Sequence, residues 1–171
     1  MNIKKWQIFA SIFCLILGTI LHFTYEWFNY NVIVGLFSTI NESVWEHLKL
    51  LFFPMLFLTL FELFFFRDRL PKNFLQVRTC GIFLGMGLIV VVFYTLLGVI
   101  GTSIDFLNIA LFFVAVFFAL WSENKQYRNS ESKKETSSTA FSILLIFTLL
   151  FFVFTFLPPD IGLFWEITKV C

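Results

Sequence analysis

Charge is what this sequence has least of. Only 13% of its residues are Asp, Glu, Lys or Arg, about half of ordinary soluble usage, which excludes a well-solvated globular surface. The 12 basic and 11 acidic residues almost cancel. The bases are scattered through connecting segments and not gathered on one face, so a nucleic-acid partner is excluded. Cysteine is thin as well: Cys14, Cys80 and Cys171 have no CxxC spacing and make neither a disulfide framework nor a thiolate metal site. The first two read as small buried hydrophobes. Period-two alternation is missing from runs such as Leu107 to Leu120, which excludes a membrane β-barrel. No stretch is polar and long enough for a soluble catalytic domain. The longest polar segment, SENKQYRNSESKKETSST from Ser122 to Thr139, reads as a flexible loop.

What the chain has instead is apolar length. Hydrophobic residues make up 59%, aromatic residues 21%, and 27 residues are Phe; they fall in runs near the roughly 20 residues that cross a bilayer as a helix. The expected fold is all-α, a single polytopic membrane helix bundle over 1–171 with five transmembrane helices at about 6–23, 44–66, 80–100, 104–121 and 140–157. Lys4, Lys5, Trp6 and the first apolar run are not followed by a small-residue cleavage site, only by HFTYEWF, so the first helix is retained and is not a secretory signal. Pro54 lies inside the second helix and is expected to kink it. Gly81-x-x-x-Gly85 suits close helix packing.

Lys4 and Lys5, then Arg67, Arg69, Lys72 and Arg78, then Lys125, Arg128, Lys133 and Lys134 put ten of the twelve bases on one side. Positive charge is retained in the cytoplasm, so the amino terminus is read as inside and the carboxyl terminus as outside, with cytoplasmic loops at 67–78 and 122–139. Lys49 and Lys169 are the exceptions. Val32 to Phe37 is too short to span, so 25–40 is expected to lie in the outer interface or to re-enter. The Pro158-Pro159 stop and Trp165 make 158–171 a second outer interfacial segment.

One stretch breaks the apolar pattern: STINESVWEHLKLLFFP, Ser38 to Pro54. At about 100° per residue, Glu42, Ser43, Glu46, His47 and Lys49 share an arc, away from Val44, Trp45 and Leu48. On the first helix Cys14, Gly18, His22 and Glu26 recur every four residues. A shared polar site of His22, Glu26, Glu42, Glu46 and His47 follows, with Asp105, Asp160 and Glu166 as further candidates from the same side. Capping explains part of this, because Thr39-x-x-Glu42 and Ser43-x-x-Glu46 both fit a capping box. Capping does not explain the histidines or Lys49, and ionisable groups within a span are functional by default. Asn41-Glu-Ser43 matches a glycosylation sequon and reads as coincidence at a helix start against the membrane.

Two histidines beside carboxylates are the ligand types for zinc or another first-row divalent ion, and such a metal activates water at neutral pH. His22, Glu26 and His47 are the expected metal ligands. Glu46, Glu42 and Ser43 are the expected catalytic residues, a glutamate serving as general base. The spacing is not HExxH, since His47 follows Glu46 directly. The expected activity is that of a small metal-dependent membrane enzyme acting on a lipid or lipid-linked substrate. Two alternatives stand beside it. One is a non-catalytic accessory protein, homo-oligomeric or joined to a membrane-protein partner, whose polar cluster only locks helices together. The other is a proton- or ion-coupled carrier; against it, the inner half offers only Glu62 beside Arg67, and there is no internal repeat. Membrane lipids are the expected partners in every case.

Ser43-x-x-x-His47 resembles the serine and histidine pair of the alkaline ceramidase and adiponectin-receptor group of membrane hydrolases, over two residues and without that group's HxxxH pair. HFTYEW, NESVWEHLK and FTFLPPDIGLF together resemble a family of small bacterial integral membrane proteins known only as a domain of unknown function. That resemblance spans nearly the whole chain and implies a multi-pass protein of a bacterial plasma membrane. It implies no activity or ligand. The chain departs from the family's expected ending, with Trp165 and Glu166 after Phe164 where an Asp is expected.

Overall fold

The structure, a computed structural model, describes residues 3–129 and 137–166. It is built of six α-helices: α1 Ile3–Trp27, α2 Val32–Gly35, α3 Val44–Phe65, α4 Phe74–Ile100, α5 Asp105–Asn129 and α6 Ser137–Phe156. All but α2 are long and apolar enough to cross a membrane. The end of the bundle that carries the α1–α3 connection, the α4–α5 turn and the segment after α6 is called the upper end here, and the opposite end the lower.

Helix α3 is the centre. Buried residues make up 61% of its apolar stretch, against 22–33% for the other four long helices. Leu51, Phe52, Phe53 and Met55 are fully enclosed, and rings of Phe37, Phe151 and Phe152 pack on them. Pro54 stands inside α3 without ending it. Lacking an N–H, it leaves the Leu50 carbonyl without its usual partner one turn back. That oxygen faces Gly18 of α1, where a Cβ would stand 2.6 Å from it and 2.6 Å from Phe112 Cζ. Gly81 and Gly85 do the same for α4 against α5, where Ala115 and Ala119 approach.

Gly18→Ala is therefore expected to destabilise by about 1–3 kcal/mol, because a backbone oxygen cannot yield as a side chain can. Gly87 has nothing within 4 Å of its missing Cβ, so Gly87→Ala is expected to be neutral or to gain about 0.5–1 kcal/mol of helix propensity. Thermal denaturation of the two variants in one detergent checks the contrast, and equal behaviour would dispose of the close approach at Gly18.

Two helix bounds at the lower end differ from the sequence expectation, for one reason. Arg78, expected in a loop, is 3% exposed and inside α4; Glu62 of α3 and Glu123 of α5 are 2% and 4% exposed. Arg78 Nη2 lies 2.8 Å from Glu62 Oε2 and its Nε lies 2.9 Å from Glu123 Oε1, as ion pairs without the alignment of hydrogen bonds. Arg78 also donates to Thr59 Oγ1 and lies over the Phe74 ring, while Trp6 Nε1 donates to Glu62 Oε1 at 2.5 Å. Buried charges persist only when paired. This lower lock therefore draws α4 back to Phe74, six residues before its expected start, and carries α5 past Trp121 into what composition marks as loop. Glu62 pairs with Arg78 here, where the sequence suggested Arg67. The rest of that loop, 130–136, and the tail beyond 166 lie outside the described residues.

At the upper end α1 continues to Trp27 and turns through Asn29 and Tyr30, both left-handed at φ 50 and 59. Asn31 caps α2, its Oδ1 accepting from the Ile33 and Val34 amides. The segment after α6 folds back over the start of α3: Phe164 packs on Trp45 and Phe154, and Glu166 forms an isolated antiparallel bridge with Ser43.

Candidate functional site

The α1–α3 connection is fastened on both sides. Toward α1, Ser38 Oγ donates to the Leu21 carbonyl and accepts from the Tyr25 amide at 3.0 Å, the two groups that would otherwise close one helical turn. A side chain inserted into a helical ladder is a known source of local bending. Toward α3, Lys49 Nζ donates to Gly35 O at 3.0 Å, Ser38 O at 3.2 Å and Glu46 Oε2 at 2.7 Å. The Lys49 side chain is 0% exposed and that of Glu46 2%. Glu46 Oε2 also accepts from the Ile40 amide and Glu46 Oε1 from Thr155 Oγ1 of α6. Each charge is met by several partners, the condition under which a buried pair holds.

With that scaffold fixed, His22, Glu42 and His47 converge. One ligand atom from each, a ring nitrogen or a carboxylate oxygen, lies within 4.8 Å of the others, and the two imidazole centroids are 5.3 Å apart. The hydrogen bonds assign the tautomers. His47 Nδ1 is 2.8 Å from the Ser43 carbonyl, which only accepts, so Nδ1 carries the proton. Thr39 Oγ1 uses its own proton on the His22 carbonyl at 3.1 Å, so His22 Nδ1, 3.2 Å away, donates to that hydroxyl oxygen. In each ring, when neutral, Nε2 is then the nitrogen with a free lone pair. His47 Nε2 lies 3.3 Å from Glu42 Oε2. In a neutral ring that nitrogen and the carboxylate oxygen present lone pairs to each other, and only a proton or a metal cation makes the contact attractive.

Glu42 is the open side of the group, with its side chain 57% exposed against 26% for His47. The hydrogen bond with His47 holds the Glu42 carboxyl below the usual carboxylate range, burial opposing it. It is a carboxylate at neutral pH, and its side of the contact is lost as pH drops through that lowered value.

The sequence candidates thus divide. His22, His47 and Glu42 come together. Glu26, one turn above His22, is exposed and outside the group. Glu46 faces Lys49 on the other side of α3. Ser43 is 1% exposed; its Oγ caps α3 by accepting from the Glu46 amide, and its amide donates to Asn41 Oδ1. Only half of the Ser43–Glu46 capping box forms, because the Glu46 carboxylate is taken by Lys49 and Ile40. Asp160 accepts from Trp165 Nε1, and Asp105 starts α5. Thr39, which reads as a capping residue in the sequence, instead sets the His22 ring.

Beside His47 opens a cleft of about 50 Å³ between α3, α4 and α5, walled by Val44, Leu50, Ile89, Phe93, Leu111 and Phe112. Phe93 and Asn108 also line a second hollow that reaches Thr102 and Ser103 at the α4–α5 turn.

No curated protein and no solved structure matches the chain. The model described as Family of unknown function (DUF6512) matches residues 1–169, and the chain belongs to that family.

Proposed function

We propose that this is a multi-pass protein of a bacterial plasma membrane, with the upper end outside, and that His22, His47 and Glu42 hold a divalent first-row metal for hydrolysis of a lipid or lipid-linked substrate. The observation that carries it is the pair of committed Nδ1–H groups. Metal-ligating histidines characteristically donate their second nitrogen to a carbonyl or other acceptor, which fixes the ring, and both rings here do so. Two imidazoles and one carboxylate are the ligand set of catalytic zinc sites that keep a position open for water. Ligands on a tetrahedral zinc stand about 3.3 Å apart at the usual bond lengths, close to the 3.3 Å between His47 Nε2 and Glu42 Oε2. Orientation is supported by Arg67, Arg69, Lys72 and Lys125, all at the lower end.

The metal would supply Lewis acidity and a water that ionises near neutral pH. Thr39 and the Ser43 carbonyl orient the imidazoles, and Glu42, the exposed member, hands protons to bulk water. Glu26 enters the scheme as a substitute ligand one turn above, and Glu46 and Ser43 act through the position they give His47.

The test is elemental analysis of detergent-purified protein offered zinc and dialysed without chelator. About one zinc per chain is expected, lost in His22→Ala and His47→Ala. Thr39→Val is expected to weaken binding by roughly 10–100-fold, as loss of an orienting partner does. A folded wild type that takes up no zinc, cobalt or manganese would overturn the reading. The accessory alternative, favoured by the completeness of the Glu46–Lys49 network, would then stand, with His47→Ala losing only stability.

A further inference from the structure

We infer that the substrate of this site is an acyl lipid with an uncharged carboxylic ester or amide, its hydrocarbon chain lying in the cleft between α3, α4 and α5. This rests on the hydrolase reading above and narrows it. Two independent observations converge on it, one from shape and one from charge.

The cleft opens beside His47 and is mostly apolar, lined by Leu50, Ile89, Leu111 and Phe112 with the Asn108 amide as its other polar group. Phe93 and Asn108 separate it from the neighbouring second hollow, walled by Leu97, Ile100, Ile104 and Leu107. An apolar slot that begins at a hydrophilic three-residue group and runs between spanning helices suits a chain carrying one polar bond at its end. Its walls are chiefly apolar and would meet methylenes, which gain from burial, while the Asn108 amide keeps its donation to Ser103 Oγ.

The charge argument fixes what that polar bond is. A phosphate ester brings at least one negative charge, and sites for it carry Arg or Lys as countercharge. Among the described residues Lys49 is the cation of the upper end, and its ammonium is fully spent on Glu46, Gly35 and Ser38. Arg78 is committed at the lower end. The charges near the site are instead the carboxylates of Glu42 and Glu26. A phosphodiester would find only the metal's charge, already half met by Glu42, and no Arg or Lys beside it, whereas a neutral carbonyl needs no countercharge. Hydrolysis consumes one water: its oxygen bonds the acyl carbon, the carbon–oxygen or carbon–nitrogen bond breaks, and one water proton ends on the released alcohol or amine.

The experiment uses zinc-loaded full-length protein in detergent with three chromogenic probes, 4-nitrophenyl octanoate, octanoyl-4-nitroanilide and bis(4-nitrophenyl) phosphate, plus 4-nitrophenyl acetate as the chainless control. A diazirine-bearing octanoyl ester maps where the chain sits. Expected are cleavage of an octanoyl probe with no measurable phosphodiester cleavage, and crosslinks on α3, α4 and α5. Ile89→Trp, or Leu111→Phe if the former does not fold, is expected to raise KM for the octanoyl probe at least tenfold and that for acetate far less, with zinc content at the wild-type level. Phosphodiester cleavage faster than ester cleavage would overturn the uncharged-head assignment. Equal effects of the cleft variants on octanoate and acetate would overturn the chain slot while leaving the hydrolase reading intact. Cleft crosslinks with no cleavage of any probe would do the reverse, sinking the hydrolase reading and with it the ester assignment.

Discussion

Replacing Arg78 by Met is expected to cost about 3–5 kcal/mol of unfolding free energy, the range for removing one member of a buried ion pair. The loss comes from what remains. Glu62 and Glu123, 2% and 4% exposed, would share a dry site with no countercharge, and Thr59 would lose its donor. The diagnostic is the cycle and not the single variant. Glu62→Gln and Glu123→Gln each remove one charge from a net-negative trio, and in the Arg78→Met background they are expected to recover stability, a strong coupling of the kind contacting charges show. Equilibrium unfolding in detergent, followed by tryptophan fluorescence, reads it. A loss under about 1 kcal/mol, the scale of exposed pairs, would mean that water reaches the trio and that no lock exists.

The second large effect is expected at Lys49. Lys49→Met leaves Glu46 ionised in a place where its carboxylate is 2% exposed, and strips the Gly35 and Ser38 carbonyls of their donor. About 3–5 kcal/mol is again the expected scale, with one addition. Ser38 and Thr39 are neighbours on the connection, and Thr39 sets the His22 ring. Lys49 is thus a positioning residue, and its loss is expected to weaken zinc binding even at temperatures where the variant is folded. Lys49→Met with Glu46→Gln is expected to restore most of the stability without restoring the affinity. If the double variant binds zinc as the wild type does, the connection holds its shape without Lys49 and the positioning role is gone.

The five apolar helices were legible because span length and hydropathy are properties of a single segment. Their ends were not, because they depend on pairs. Arg78 looks like a loop base, and Glu123 looks like part of a polar tract, until the fold sets them 2.9 Å apart. Nothing local in SENKQYRN says helix. The site was partly legible for the same reason inverted. The polar arc at the start of α3 points to His47, with Glu42 in the turn just before the helix, and the four-residue recurrence on α1 points to His22. Spacing alone could not separate Glu42 from Glu46. That depends on which carboxylate Lys49 takes, and both lie within a few residues of it. Glu26 fits the α1 stripe, but the stripe says nothing about depth, and α1 has passed out of the packed part of the bundle by that residue. Thr39 needed the connection's path to be known before its hydroxyl had a purpose.

Helix α3 is tied toward both of its ends by buried charges, Lys49 to the Gly35 and Ser38 carbonyls of the connection above and Glu62 to Arg78 of α4 below. Mechanically that makes it an axle. It can neither slide along its length nor tilt without tearing a charge from its partner, so a rocking cycle that presents one site alternately to two sides would have to leave this helix standing still. The play in the bundle falls to α6, with 22% of its apolar stretch buried and an attachment made mainly of rings, Phe147 on Phe83 and Phe151 on Trp45. Such contacts slip without leaving a charge stranded, so displacing the rim of this bundle costs less than displacing its centre.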